Sequence, residues 1–243
     1  MKIKVIKDAP LEIQAKAVAD LLNKRITTLN VATKKAGVFC FLAAGGSALS
    51  VLDYLDVSLF GSATTIVGVL DERYSTDPKV SNFAQLTQTS FYQKLLKAGV
   101  KFIDTRVKNN ETGQALAERF ANELNKIVDS GLPIIATIGV GPDGHISGIM
   151  PYPEDPKRFD ELFNDPSKLA IYYEATGKNP IPQRITTTLP LLRKIQYAAG
   201  RISGDIKKDA LNRITADTGS LALTPARVLR EMNEVNIITE IIQ

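Results

Sequence analysis

"LPIIATIGVGPDGHISGIMP", residues 132–151, carries an apolar run over 132–138 that passes directly into a glycine-rich turn ending at His145. An unbroken apolar stretch of this length, followed by Gly139, Gly141, Pro142 and Gly144, reads as a strand buried on both faces and then a tight turn. His145 is the sole histidine among 243 residues. Imidazole is the side chain whose ordinary pKa lies nearest neutrality, so a lone histidine after a buried strand is a candidate proton carrier. The bland alternative is a ring satisfied by hydrogen bonds within the turn, with no chemical task.

The same pattern recurs along the chain. Residues 1–6 read as a strand. Asp8 is expected to cap a helix with Pro10 in its first turn, and Leu11, Ala15, Val18, Leu22, Ile26 and Leu29 follow at helical spacing. A strand over 38–43 runs into Gly45-Gly46-Ser47 and a helix over 49–55; a strand over 64–70 runs into Asp71-Glu72-Arg73. One helix is expected over 83–98, a short strand over 100–103 and a helix over 112–130. Beyond Pro151 a loop rich in Pro, Asp and Lys leads to a strand over 169–174, then to the segment 184–188 and a helix over 189–194. A strand over 196–202 ends at Ser203-Gly204, a helix covers 206–214, and the tail adds a helix and an apolar segment over 235–242.

Alternating helices and doubly apolar strands predict a three-layer α/β fold. Its sheet is mostly parallel, with helices on both faces in a Rossmann-like arrangement, as one domain over 1–243. Right-handed crossovers put the C-terminal ends of the strands along one edge, where such sheets bind ligands. The clusters at 45–47, 71–73, 141–145 and 203–204 all follow strands, so they are expected to converge there.

Composition narrows the partners. Hydrophobic residues make up 44% and charged residues 23%, and 30 basic against 26 acidic residues leave a net charge of +4. That excess suits an anionic small molecule. No basic block interleaved with aromatics appears, so no nucleic-acid partner is expected. No apolar run approaches the ~18 residues of a membrane span, and the first residues lack the apolar core of a signal peptide. A cytoplasmic protein, monomeric or weakly dimeric, is the expectation. The single cysteine, Cys40, lies in the run Val38-Phe39-Cys40-Phe41-Leu42 and reads as a buried, inert thiol. With one histidine and one cysteine, neither a metal nor a cofactor is expected.

Each cluster has a chemical and a bland reading. Gly45, Gly46 and Ser47 let the backbone approach a ligand closely and open a helix whose free N–H groups suit an anion; the alternative is a turn that needs glycine for its geometry. In Asp71-Glu72-Arg73, a carboxylate that orients a catalytic group and a guanidinium that binds an anion compete with a structural ion pair. Lys178, Arg184 and Lys207 are further cationic candidates, any one of which is more often a solvated charge; Gly204-Asp205-Ile206-Lys207 puts Lys207 in the first turn of a helix, where its ammonium could meet the same anion as the Gly-rich loop.

Taken together, the motifs resemble the 6-phosphogluconolactonase family, within the wider group that includes glucosamine-6-phosphate deaminases. The resemblance rests on Gly45-Gly46-Ser47, Asp71-Glu72-Arg73 with Ser81-Asn82, Gly139-Val140-Gly141-Pro142-Asp143-Gly144-His145, Arg184-Ile185-Thr186 and Gly204-Asp205-Ile206-Lys207. It spans roughly residues 8–230. Deaminases carry a Tyr after the Asp-Glu pair and an Asn-Glu-Pro after the histidine. Here Arg73 and Gly148-Ile149-Met150-Pro151 stand in those places, and the latter is similar to the Ser-Leu-Phe-Pro of lactonases. Three departures stand out: Ala48-Leu49 replaces the usual Thr-Pro, Gly-Ile-Met replaces Ser-Leu-Phe, and tryptophan is absent.

The resemblance implies hydrolysis of 6-phosphogluconolactone without a cofactor. His145 would be the general base and later the acid for the ring oxygen, with Asp143 orienting its ring or holding a substrate hydroxyl, and Asp71 nearby. Arg73 or turn N–H groups would face the oxyanion. Gly45, Gly46, Ser47, Ser81, Asn82, Lys178, Arg184 and Lys207, with Arg73, would hold the phosphorylated sugar. Because Ala48 removes a hydroxyl, Ala48→Thr is expected to tighten phosphate binding. The rivals are a deaminase or isomerase using Asp71 as base, in which Glu154 is the nearest glutamate after the histidine, and a sugar-phosphate sensor without turnover.

Overall fold

The computed structural model describes residues 3–7, 10–61 and 64–241. Its strands are β1 (Ile3–Ile6), β2 (Cys40–Ala43), β3 (Ile66–Val69), β4 (Asp71–Arg73) and β5 (Lys101–Phe102), then β6 (Ile134–Gly139), β7 (Ala170–Glu174), β8 (Gln183–Thr187), β9 (Tyr197–Arg201) and β10 (Val235–Ile238). Seven form one sheet in the order β1-β10-β9-β6-β2-β3-β5, every neighbouring pair parallel. The other three form a small antiparallel sheet, β4-β8-β7.

Helices α1 (Leu11–Thr33), α2 (Asn82–Thr87) and α3 (Ser90–Lys97) and a 3-10 helix, Gly46–Tyr54, cover one face of the large sheet. Helices α4 (Gly113–Asp129), α5 (Pro156–Phe163), α6 (Leu189–Arg193) and α7 (Lys208–Thr215) cover the other, together with the small sheet. Alternation along β2 makes the division plain. Phe41 packs with α1 and the 3-10 helix, while Cys40 and Leu42 pack with the α4 side. Both faces are apolar because both are covered. Burial pushes the Cys40 thiol well above its ordinary pKa, which removes the thiolate that reactivity requires. Among the described residues no helix is long and apolar enough to cross a membrane.

Several boundaries differ from expectation. The expected helix over 83–98 is two helices, because Thr89 accepts from the Tyr92 N–H and caps a new start. Residues 71–73, expected as a polar cluster directly after a strand, form a strand of their own, β4. The loop after Pro151 contains α5, started by Asp155 as N-cap and Pro156 in the first turn. The helix expected over 49–55 begins earlier, at Gly46, and is 3-10. Lys207 ends a 3-10 turn, Asp205–Lys207, before α7. Pro10 occupies the N-cap position of α1; Asp8 lies outside the described residues.

The site is placed by the order β9-β6-β2-β3. From β2 the chain proceeds outward to β3 and β5, then returns to the other side of β2 with β6, β9 and β10. A crevice opens at the C-terminal ends where the direction reverses, between β2 and β6. The four expected clusters follow β2, β3, β6 and β9, which are consecutive in the sheet, so their convergence follows from topology.

Candidate active site

A cavity of about 240 Å³ opens over this crevice. Its walls come from Ala44 to Ser47 after β2, Asp71 and Arg73 of β4, and Asn82 of α2. Gly139 to Pro142, His145 and Ser147 after β6, Arg184 of β8 and Lys207 complete it.

The histidine turn is held from within and from outside. The Gly141 N–H donates to the His145 carbonyl at 3.0 Å, and the Gly144 N–H donates to the Gly141 carbonyl at 3.0 Å. His145 Nδ1 lies 2.6 Å from Asp143 Oδ1, and the His145 N–H donates to the same oxygen at 3.1 Å. Burial alone raises the Asp143 carboxyl, but the hydrogen bond and charge of His145 outweigh it and hold the group below the ordinary value. An ionised carboxylate only accepts, so Nδ1 carries the proton of the neutral ring and Nε2 keeps its lone pair. Gly141 makes this geometry possible: a Cβ there would stand 2.1 Å from His145 Nδ1. Outside the turn, Arg213 Nη2 donates to the Asp143 carbonyl at 3.2 Å, and the Ala226 N–H donates to the Gly144 carbonyl at 3.0 Å. Ser147, at φ 55, bonds the Leu70 carbonyl at 2.9 Å and the hydroxyls of Thr186 and Thr187. A non-glycine residue in the left-handed region costs energy, and here three partners hold it.

The acidic cluster divides by strand alternation. In β4, Asp71 and Arg73 face the cavity while Glu72 points away. Glu72 is buried and accepts from the N–H groups of Arg73, Asn82 and Phe83 and the hydroxyls of Ser81 and Thr105. Burial still pushes its carboxyl above the ordinary value, against those bonds. Glu72 therefore anchors the start of α2. Arg73 stands directly across from Arg184 in the β4–β8 pair, an arrangement of like charges that needs compensation. Asp71 supplies it, with its Oδ2 3.4 Å from Arg184 Nη2, both side chains buried. Arg73 donates from Nη1 to the Val80 carbonyl at 2.9 Å; burial first, then the charge of Arg184, lowers its pKa against Asp71 and Glu72.

Among the described residues, the buried side-chain polar atoms without a hydrogen-bond partner are Arg73 Nε, Asn82 Oδ1 and Arg184 Nε. All three residues line this cavity. Unpaired buried polar atoms are rare and costly, and their gathering in one place marks a site that trades stability for function. The Asn82 amide is oriented because Nδ2 donates to the Asp71 carbonyl at 2.9 Å, which turns Oδ1 toward Gly45. Only glycine fits at 45, since a Cβ would come within 2.2 Å of that oxygen.

Two expected residues stand elsewhere. The Ser81 hydroxyl is taken by Glu72 and by the Ala84 N–H as the α2 cap, and it does not line the cavity. Lys178 pairs with Glu154 and lies 4.1 Å from the Tyr152 ring centroid, also outside the cavity. The Glu154 carboxylate is exposed, and its hydrogen bond with Lys178 holds it below the ordinary value. Lys207 is half-buried in the cavity wall, where burial and then the charge of Arg201 lower its ammonium. Ser147, Arg213 and Arg201 were not singled out in the sequence. Ser147, two residues after the histidine, carried the only local signal.

Ala48 corrects a further expectation. It is 6% exposed and belongs to the core, its Cβ 4.0 Å from where a Gly139 Cβ would stand. Ala48 itself does not line the cavity. Ala48→Thr is expected to cost about 1–3 kcal/mol by overpacking, read as a lower denaturant midpoint; an unchanged midpoint would mean that this wall accommodates two more atoms.

Residues 12–238 match the family described as glucosamine-6-phosphate isomerases/6-phosphogluconolactonase. The chain belongs to this family. A curated relative, the 6-phosphogluconolactonase of Thermotoga maritima, is 27% identical over 187 residues, covering 76% of this chain and 78% of its own. The probable 6-phosphogluconolactonase of Drosophila melanogaster is 27% identical over 217 residues, 88% of this chain and 84% of its own. Among solved structures, a 6-phosphogluconolactonase from Shewanella baltica superposes with a TM-score of 0.75 at 18% identity, covering 98% of this chain and 96% of that one. That of Trypanosoma brucei gives 0.73 at 20% identity, over 98% and 97%. At these identities the superpositions establish that the family fold runs through this chain.

Proposed function

We propose that this chain hydrolyses 6-phosphogluconolactone to 6-phosphogluconate in the cavity over β2 and β6. The observation that carries the reading is the 2.6 Å contact between His145 Nδ1 and an ionised Asp143 at the mouth of a cation-lined cavity. Asp143 fixes the tautomer, so Nε2 accepts a proton from water as its oxygen attacks the lactone carbonyl. The tetrahedral intermediate then expels the ring oxygen, which takes that proton back from the imidazolium. Positioned proton transfer of this kind is worth about 10²–10⁴ in rate.

The developing oxyanion needs a donor. The Gly141, Gly144 and His145 N–H groups are already used within the turn, which leaves Arg73 as the better candidate. Asp71 holds Arg184 in place rather than acting as a base. Lys207 and the free N–H groups opening the 3-10 helix at Gly46 hold the phosphate, with Arg184 behind them. The relatives from Thermotoga maritima and Drosophila melanogaster, a 6-phosphogluconolactonase and a probable one, support the same substrate class.

Lys207→Ala is expected to raise KM for the phosphorylated lactone about tenfold or more while leaving gluconolactone, which has no phosphate, unaffected. Steady-state kinetics on the two lactones decide it; equal effects on both would remove Lys207 from the phosphate site. The deaminase reading fares worse, because Glu154 pairs with Lys178 outside the cavity and Asp71 is already engaged by Arg184. Release of ammonia from glucosamine 6-phosphate would restore it.

A further inference from the structure

Arg201 is the last residue of β9, and in the strand register it stands beside Gly139, which lines the cavity. From there its guanidinium reaches across to the loop after β2. Nη2 donates to the Ser47 carbonyl at 3.2 Å and lies 3.4 Å from Ser50 Oγ. The side chain thus reaches from β9 to the backbone of Ser47, a lining residue of the cavity that Arg201 itself does not line, and it does so with Nη2 alone. Among the described residues, Nε and Nη1 make no hydrogen bond. Lys207 follows in the next loop and lines the same cavity. Burial first, and then the charge of Arg201, lowers the pKa of the Lys207 ammonium. Two neighbouring cations repel, so an anion between them is favoured; the nearby Glu240 carboxylate is engaged by the Gly204 N–H and by Gln14.

We propose that Arg201 is a second cationic ligand for the phosphate, paired with Lys207 across the rim, and that the pair sets the preference for phosphorylated over neutral sugar acids and lactones. This rests on the reading above only in placing a phosphate at this end of the cavity. The guanidinium has donors left to form a bidentate contact while Nη2 keeps the loop. A merely structural Arg201 would do no more than clamp the Ser47 carbonyl.

Binding can be measured without turnover, by titrating 6-phosphogluconate and gluconate into the wild type and the Arg201→Gln, Arg201→Lys and Lys207→Ala variants. Arg201→Gln keeps a donor for the Ser47 carbonyl but loses the charge. It is expected to weaken 6-phosphogluconate binding about tenfold or more with no change for gluconate, and Arg201→Lys is expected to recover most of the loss. Wild-type affinity in Arg201→Gln, or equal losses for both ligands, would overturn the proposal and leave Arg201 as a loop clamp. Lactone turnover is followed in parallel. Absent turnover with Arg201-dependent phosphate binding would sink the hydrolase reading and support this one. Phosphate binding that is indifferent to both Arg201 and Lys207 would sink the phosphate site itself.

Discussion

His145→Asn is expected to lower kcat for 6-phosphogluconolactone hydrolysis by about 10²–10⁴ while the protein stays folded. Asparagine can still place an N–H near Asp143, so the turn keeps its internal bond, and what disappears is Nε2. His145→Ala removes both and is expected to lose at least as much. KM should move little in the asparagine variant, because a proton transferred only in the transition state contributes little to ground-state binding. Circular dichroism and the melting temperature verify the fold. A folded His145→Asn with near wild-type kcat would assign the proton transfer to another group.

Arg184→Ala has the largest expected effect on stability. Arg184 and Asp71 are buried together, their side chains 4% and 7% exposed. Removing the arginine leaves a largely buried carboxylate without its partner. Breaking such a pair from one side costs about 3–5 kcal/mol, equivalent to roughly 6–20 °C in melting temperature for a chain of this size. The double variant Asp71→Asn/Arg184→Met is expected to recover part of the loss, since no charge is then left unpaired. An unchanged melting temperature in Arg184→Ala would mean that Asp71 finds another partner. The consequence for function is practical. A rise in KM at Arg184 mixes lost binding with a disturbed wall, so Lys207 and Arg201 are the better reporters of phosphate recognition.

The histidine turn was legible because its signals are local: an apolar run, glycines at the turn and one imidazole. The meeting of the clusters after β2, β3 and β6 was legible as well, since parallel strands with right-handed crossovers align their ends whatever the details; of the fourth, Ser203 and Gly204 bond Gln14 and Glu240 and do not line the cavity, which Lys207 alone reaches from that loop. The roles within clusters were less so. Asp71, Glu72 and Arg73 carry no apolar alternation, and their strand exists through pairing with β8, more than a hundred residues away. That pairing turns Glu72 away from the cavity and brings Arg184 into it. Ser81 and Lys178 matched the expected pattern of residue types, but each is engaged elsewhere, Ser81 by Glu72 and Lys178 by Glu154 and Tyr152. Arg201 and Arg213 read as ordinary charges because nothing local distinguishes them; their partners, Ser47 and Asp143, lie in other loops. Helix α5 hid behind its composition, although Asp155-Pro156 is a helix start.

The central claim is that His145, oriented by Asp143, drives hydrolysis of a phosphorylated sugar lactone. The most direct measurement is acid release from 6-phosphogluconolactone at constant pH, corrected for spontaneous ring opening, with the wild type and His145→Asn at equal concentrations. The account predicts rapid enzyme-dependent release with the wild type and a rate close to the spontaneous one with the variant. Release indistinguishable from the spontaneous rate with the wild type, or equal enzyme-dependent rates for the two proteins, would contradict it.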